Sequence, residues 1–260
     1  MQFVFDVDGT ISFNGATISD VIVTEIKKLE RLGNTVTFAS ARPIRDLLPI
    51  IPDFTDNHLL IGGNGAIVQR PDNQIVSTRP IDSTSFRLIK ELINTYKLNY
   101  IIDDSWNYSA KVDLSNKIYK QLDPGHLAKN VKISSLKAPI KIILLGIPNE
   151  LFVPLLGKLE RQPLLSIIVH SGENNLDITA IGINKLSTLR NFYSHEYIAF
   201  GNDSNDLELL DNAKLSMWVE NKDICLQKQR INISPDYIVN NSVEDVANII
   251  KQLGENESIK

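Results

Sequence analysis

One cysteine among 260 residues, Cys225, leaves the chain without a partner for an internal disulfide. A lone thiol fits a reducing compartment better than a secreted, disulfide-stapled fold. No thiolate pair has zinc-site spacing, and the four histidines, His58, His126, His170 and His195, lack the spacing of a metal-ligand motif. Long apolar runs are missing as well: nothing approaches the roughly 20 residues that span a bilayer. No basic segment or cleavage site precedes the first expected strand at Phe3, so a secretory leader is not expected and the cytoplasm is the expected location. Basic charge is sparse wherever one looks. The 27 Lys and Arg against 31 Asp and Glu give a net charge of -4, with no basic run longer than Lys27-Lys28. That pattern excludes the electrostatic footprint of a nucleic-acid or membrane-surface binder. A Gly-x4-Gly-Lys-Ser/Thr loop is also lacking, which argues against a P-loop kinase. Neither internal repeats nor low-complexity tracts occur.

The most informative stretch that is present lies at the start. The apolar run Phe3-Val4-Phe5 leads into Asp6-Val7-Asp8-Gly9-Thr10, which reads as a buried parallel strand ending in a turn. Open α/β sheets bind ligands at the carboxyl ends of their strands, so Asp6 and Asp8 stand where chemistry takes place. Two carboxylates that close repel unless a cation or a proton is shared, which predicts a metal or a raised pKa.

The rest of the chain supplies a matching frame. Ser19 offers an N-cap for a helix with an apolar stripe of Ile22, Ile26, Leu29 and Leu32, stopped by Gly33. A strand over Thr35 to Ala39, a helix with Pro43 in its first turn, and a strand from His58 to Ile61 complete a β-α-β-α-β order. Two hairpin-like strands follow, Ala66 to Gln69 and Gln74 to Thr78. Between about residues 82 and 181 the order changes to a mixture of helices and strands, including a helix near Ser115 to Leu122. From Lys185 the alternation resumes, with strands ending at Phe200, Val219 and Val239, a helix near Asp223 and a last helix from Val243 to Leu253. The expected fold is therefore α/β, a doubly wound parallel-sheet, Rossmann-like core formed by residues 1–81 and 182–260, with an inserted α+β module at 82–181.

Four strand or helix ends of that core carry polar residues suited to one reaction. They are Asp6 with Asp8; Ser40 with the Ala41 amide and Arg42; Lys185; and Gly201-Asn202-Asp203-Ser204-Asn205-Asp206. In this order and spacing the chain resembles the haloacid dehalogenase superfamily, in its branch of Cof-type sugar-phosphatase-like hydrolases. The Gly63-Asn64-Gly65-Ala66 segment is similar to a loop of the same branch, and the insertion at 82–181 falls at the position of that branch's large cap.

The resemblance implies phosphoryl transfer to a carboxylate, with Asp6 as the nucleophile that forms an aspartyl-phosphate. Asp8 would protonate the leaving oxygen and then deprotonate the attacking water, and Thr10 would orient both side chains. Ser40, the Ala41 amide, Arg42, Asn64 and Asn205 would contact phosphate or substrate, with Lys185 supplying positive charge. The implied cofactor is Mg²⁺, a hard cation suited to oxygen ligands, held by Asp6, the Asp8 carbonyl, Asn202 and Asp206. Asn202 stands where the commonest pattern has an acid, and Ala41 where it has glycine. The implied function is Mg²⁺-dependent hydrolysis of a small phosphorylated metabolite such as a sugar phosphate. A phosphohexomutase and a degenerate sugar-phosphate-binding regulator are the alternatives. Within the cap, Trp106, Asn107, Tyr108, His170, Glu173 and Asn174 lie near expected strand ends or turns and are the candidates to face the core, although an aromatic there more often serves packing.

Overall fold

In the computed structural model, residues 1–77, 79–113, 116–170, 174–220 and 234–256 are described. Thirteen strands and seven helices among them build two sheets. The larger contains β1 (Gln2–Phe5), β2 (Thr35–Ala39), β3 (Leu59–Gly62), β4 (Ile67–Gln69), β5 (Ile75–Ser77), β11 (Tyr197–Gly201), β12 (Leu215–Glu220) and β13 (Tyr237–Asn240), in the order β13-β12-β11-β1-β2-β3-β4-β5. The six strands from β13 to β3 are parallel, and β4 and β5 extend the edge as an antiparallel hairpin. The chain runs outward from β1 in one direction through β2 and β3, and in the other through β11 to β13. This places the topological switch point at the end of β1, where ligands bind in such sheets.

Helices cover both faces. Helix α1 (Asp20–Arg31) starts at Ser19, whose hydroxyl accepts from the Val21 N–H, and buries Ile22, Val23, Ile26 and Leu29. Leu32, expected in that stripe, instead ends the helix and is exposed. Helix α2 (Ile44–Leu47) begins after Pro43, which is extended at ψ 158 and so sits at the N-cap position rather than within the first turn. Helices α5 (Lys185–Leu189), α6 (Leu207–Asp211) and α7 (Val243–Glu255) complete the layer set, with Phe3, Phe5, Phe38, Phe54 and Phe200 among the residues at the centre of the main apolar core.

The second sheet takes all its strands from the chain between β5 and α5. It comprises β6 (Asn99–Asp103), β7 (Tyr108–Lys111), β8 (Lys141–Leu145), β9 (Leu165–His170) and β10 (Asn175–Ala180), antiparallel throughout in the order β7-β6-β8-β10-β9. Strand side chains alternate, and the alternation divides this sheet cleanly. Ile102, Ile142, Leu144, Leu176 and Ile178 pack against α3 (Ser83–Tyr96) and α4 (Asn149–Glu160) through Phe86, Ile89, Leu155 and Leu159. Ile101, Ile143 and Leu145 lie on the other face.

The helix expected over Ser115 to Leu122 is only a 3-10 turn at Lys117–Gln121, capped by the Asn116 side chain. Ser115, Thr78, Glu173, Cys225 and the helix expected near Asp223 lie outside the described residues. Among the described residues no helix is long and apolar enough to cross a membrane.

Candidate active site

The ends of β1, β2 and β11, the first turn of α5 and the loop after β3 converge on one point. Asp6 continues the ladder of β1, its N–H donating to Phe200 O at 3.0 Å. After Val7, whose side chain is fully buried, the chain turns at Gly9 with φ +80. A side chain at Gly9 would meet the Asn202 amide at 2.1 Å, so the turn and its neighbour both require glycine there. Thr10 follows, donating to Asp6 Oδ2 at 2.7 Å.

Lys185 is the first residue of α5, whose N-cap Asn184 shares a reciprocal capping box with Ser187. That start aims the lysine inward. Its Nζ lies 2.6 Å from Asp6 Oδ1 and 2.6 Å from Asp206 Oδ1, and it is 1% exposed. The other Asp206 oxygen accepts from the N–H groups of Asn202 and Asp203 at 3.0 and 3.1 Å. Asp206 thus shapes the loop from inside. Asp203 faces the other way and accepts from the Ser204 N–H. Burial, with the Asp206 charge added to it, pushes the Asp6 carboxyl up to about 7, and Lys185 and Thr10 pull against that rise. For Lys185 burial opposes the charge, but Asp206 and Asp6 outweigh it and hold the ammonium above its ordinary pKa. Two buried carboxylates around one ammonium leave one negative charge unmatched.

Asn202 shows what kind of group would match it. One atom of its side-chain amide lies 3.2 Å from Asp6 Oδ2, 3.2 Å from Thr10 Oγ1 and 3.1 Å from Asp8 O. If that atom is nitrogen, it donates to all three. If it is oxygen, three oxygens converge with only the Thr10 hydroxyl proton among them, an arrangement that calls for a hard cation. The residues therefore fit Mg²⁺ through one Asp6 oxygen, the Asp8 carbonyl and the Asn202 amide oxygen. Among the described residues no group of three or more His, Cys, Asp or Glu side chains is arranged to hold a metal.

Asp8 and Arg42 face each other across the mouth. The guanidinium donates to both Asp8 oxygens at 2.7 and 2.6 Å and to Gly15 O at 2.9 Å. Ser40 Oγ accepts from the Arg42 N–H at 3.1 Å, and Ser40 O accepts from the Asn64 N–H at 3.0 Å. Asn64, in the left-handed region at φ 58, accepts through Oδ1 from Asn205 Nδ2 at 2.8 Å. Ser40, Arg42, Asn64 and Asn205 thus form one connected rim.

Above this rim a cavity of about 280 Å³ opens between the two sheets. Asp8, Ala41 and Arg42 line one side; Ile101, Lys141, Ile143 and Asp177 line the other. Of the candidates read from the sequence, Trp106 packs against the main apolar core, and three side chains bond to neighbouring loops. Trp106 Nε1 donates to Leu127 O, Asn107 accepts from the Lys129 N–H and Asn174 donates to Ile147 O. The Tyr108 ring lies beneath Arg45, 4.7 Å from its guanidinium carbon. Glu173 and the His170 side chain lie outside the described residues. Lys141 and Asp177, joined at 2.7 Å, were not among the sequence candidates. Their signal was a charge on the strand face of Ile143: Lys141 opens Lys-Ile-Ile-Leu-Leu, and Asp177 stands between Leu176 and Ile178.

A family model for haloacid dehalogenase-like hydrolases matches residues 3–250. The chain is a haloacid dehalogenase-like hydrolase of the Cof type. Among curated relatives of this hydrolase, the 5-amino-6-(5-phospho-D-ribitylamino)uracil phosphatase YcsE of Bacillus subtilis is 23% identical over 247 residues, 92% of this chain and 90% of its own. The HMP-PP phosphatase of Escherichia fergusonii is 22% identical over 217 residues, 80% of each chain. Among solved structures, a haloacid dehalogenase-like hydrolase from Bacteroides thetaiotaomicron superposes with a TM-score of 0.79 at 19% identity, covering 97% of this chain and 98% of its own. The subclass IIB sugar phosphatase BT4131 gives 0.74 at 19% identity with the same coverage. At these identities the solved structures establish the hydrolase's fold, a parallel-sheet core with a second module.

Proposed function

We propose that this hydrolase is a Mg²⁺-dependent phosphatase that releases phosphate from a small phosphorylated metabolite through an aspartyl-phosphate at Asp6, with residues 82–181 as a substrate-selecting cap on the core of residues 1–81 and 182–260. The observation that carries the reading is the bonding of Asp6. One oxygen is held by Lys185 at 2.6 Å and the other by Thr10 at 2.7 Å, at the switch point of the sheet. The phosphatase class is supported by the family and by relatives that are named phosphatases.

In this reading Asp6 attacks phosphorus, and the bond to the leaving oxygen breaks in line with the new one. Asp8, in its protonated form, gives its proton to that oxygen. Asp8, now ionised, takes a proton from water, whose oxygen attacks the phosphoryl group and returns Asp6 as a free carboxylate. Lys185 neutralises Asp6 and Asp206, and the rim of Ser40, the Ala41 amide, Arg42, Asn64 and Asn205 receives phosphate and substrate. Mg²⁺, when bound by Asp6, the Asp8 carbonyl and Asn202, with Asp206 bracing the loop, offsets negative charge on the transferring group. No observation in the cleft favours a mutase, and the intact Asp6, Thr10 and Lys185 set speaks against a regulator that has lost its chemistry.

The test is phosphate release from a panel of sugar and other metabolite monophosphates, with Mg²⁺ and with chelator. Asp6→Asn, which keeps the shape and removes the nucleophile, should lose all measurable turnover with its melting temperature preserved. A wild-type protein that releases no phosphate from any ester in Mg²⁺, or an Asp6→Asn variant that keeps a substantial part of the rate, overturns the reading.

A further inference from the structure

The cap sheet turns two different surfaces toward the cleft. β8 and β10 present Lys141 and Asp177, while the middle of β6 and β8 presents Ile101 and Ile143, with Leu122 beside them. These strand residues occupy the face opposite the helices. A buried ion pair on such a face contributes little that two packed apolar side chains would not. Its position points to a use.

Lys141 Nζ lies 2.7 Å from Asp177 Oδ2 and donates to Ala41 O at 3.0 Å, which ties the cap to the loop that carries Ser40 and Arg42. An ammonium has three donors, so one remains for a ligand in the cavity.

Carboxylates outnumber cations around that ligand: Asp8, Asp46, Asp103 and Asp177 line the cavity with Arg42 and Lys141. Arg42 is held by both oxygens of Asp8, Lys141 by Asp177, and Asp103 by Arg45 at 2.5 Å behind the wall. Among the described residues that line the cavity, each cation thus has a carboxylate against it. A leaving group with its own carboxylate or second phosphate would meet Asp177 and Asp103, and the unpartnered Nη1 of Arg42 belongs to the rim that receives the transferring phosphate.

We propose that Lys141 and Asp177 read the leaving group of the phosphomonoester, and that the pair selects neutral, hydroxylated leaving groups over anionic ones. Lys141 donates to a hydroxyl and Asp177 accepts from one, while Ile101 and Ile143 cover the C–H face. Asp177 is the discriminating residue, because its charge cancels Lys141 and repels a second anion. This inference rests on the phosphatase reading for its substrate, and its test is arranged to separate the two.

Matched esters isolate the charge: glycerol 3-phosphate against 3-phosphoglycerate, and glucose 6-phosphate against 6-phosphogluconate, with p-nitrophenyl phosphate as a reporter of the core chemistry. For the wild-type protein in Mg²⁺, kcat/KM should be at least about tenfold higher for the neutral member of the pair that is turned over. Asp177→Asn should narrow that ratio by about tenfold, chiefly by admitting the anionic ester. If its melting curve shows that Asp177→Asn does not fold, Asp177→Thr, suited to a strand interior, is measured instead. A wild-type ratio near one, or a ratio unmoved by the substitution in a folded protein, overturns the proposal. Should no ester be hydrolysed, p-nitrophenyl phosphate included, the phosphatase reading fails by itself. Calorimetric binding of the same pairs then decides the subsite: about tenfold tighter binding of the neutral member upholds it, and equal binding overturns it.

Discussion

Lys185 bonds Asp6 and Asp206 at the same distance, 2.6 Å, from a position 1% exposed to solvent. One residue therefore neutralises both Asp6, the proposed nucleophile, and the brace of the loop after β11. Lys185→Met should remove the positive charge while keeping much of the volume, leaving two carboxylates buried without a partner. Breaking a buried pair in this way costs on the order of 3–5 kcal/mol. The expected result is loss of turnover and a melting temperature well below wild type, partly recovered by Mg²⁺, since a cation beside Asp6 replaces some of the lost charge. A variant that melts like wild type without the ion would mean that the carboxylates are not held by Lys185.

Arg42 holds Asp8 from two directions and reaches Gly15 O with the same nitrogen that bonds Asp8 Oδ1. Arg42→Lys keeps the charge but not the planar fork, so Asp8 loses its fixed orientation. A misplaced acid costs rate with leaving groups that need protonation. Turnover of alkyl phosphates should fall about 10- to 100-fold, and that of p-nitrophenyl phosphate, whose phenolate leaves readily, by clearly less. Equal losses on both would argue that Arg42 acts on the phosphate and not through Asp8.

A second cluster of charges lies where the core meets the inserted sheet. Arg45, from α2, pairs with Asp103 of β6 and donates to Trp106 O, and the neighbouring Asp46 accepts from the Asp123 N–H at 3.0 Å. Arg45 Nε is 3.0 Å from Asp46 Oδ1 but makes no hydrogen bond. Burial, only partly offset by that misaligned cation, raises the Asp46 carboxyl from 3.8 to about 7. The folded protein therefore binds this proton more tightly than the unfolded chain. Its contribution to stability is complete below about 3.8 and is lost as pH rises through about 7. Asp6 titrates in the same direction, so the Asp46 part is read by difference. Asp46→Asn keeps an acceptor for the Asp123 N–H and removes the charge. It should melt close to wild type at pH 4.5 and above it at pH 8, by an amount on the order of a few kcal/mol. A gap independent of pH would show that Asp46 does not carry the proton.

Most of the parallel core was legible because each of its elements obeys a local rule. Thr35 to Ala39 is a strand bounded as expected, Ser19 caps α1, and Gly9 turns the chain after β1. The site was legible for the same reason: its residues sit at strand ends, and strand ends are marked by where apolar runs stop. The cleft was harder to read. Arg45, Asp46, Asp103, Lys141 and Asp177 come from four separate elements, and their proximity is fixed by how one sheet lies over another, which no local pattern encodes. Trp106 and Asn107 looked suited to a ligand because aromatic and amide groups in turns often are. Here they satisfy the backbone of the 127–129 segment.

Asn202 offers the most direct test of the proposed metal site. Its amide is 3.2 Å from Asp6 Oδ2 and 3.1 Å from Asp8 O, and it brings no charge to that cluster. Asn202→Asp adds a carboxylate of nearly the same shape. Without a cation, two like charges about 3 Å apart repel by several kcal/mol even at an effective dielectric near 20, so the metal-free variant should melt below wild type. With Mg²⁺ the same charge becomes attractive, and the ion should bind at least tenfold more tightly by calorimetry, restoring the melting temperature. Asp206→Ala tests the opposite end of the loop. It removes the acceptor for the Asn202 and Asp203 N–H groups and one partner of Lys185, so Mg²⁺ affinity should fall markedly. The Asp203 side chain is exposed and caps the turn, accepting from the Ser204 and Asp206 N–H groups, and Asp203→Ala should leave the affinity within about threefold, as expected for an exposed charge screened by solvent. Loss of Mg²⁺ binding in Asp203→Ala with retention in Asp206→Ala would move the metal to the other side of the loop and take Asn202 out of the site.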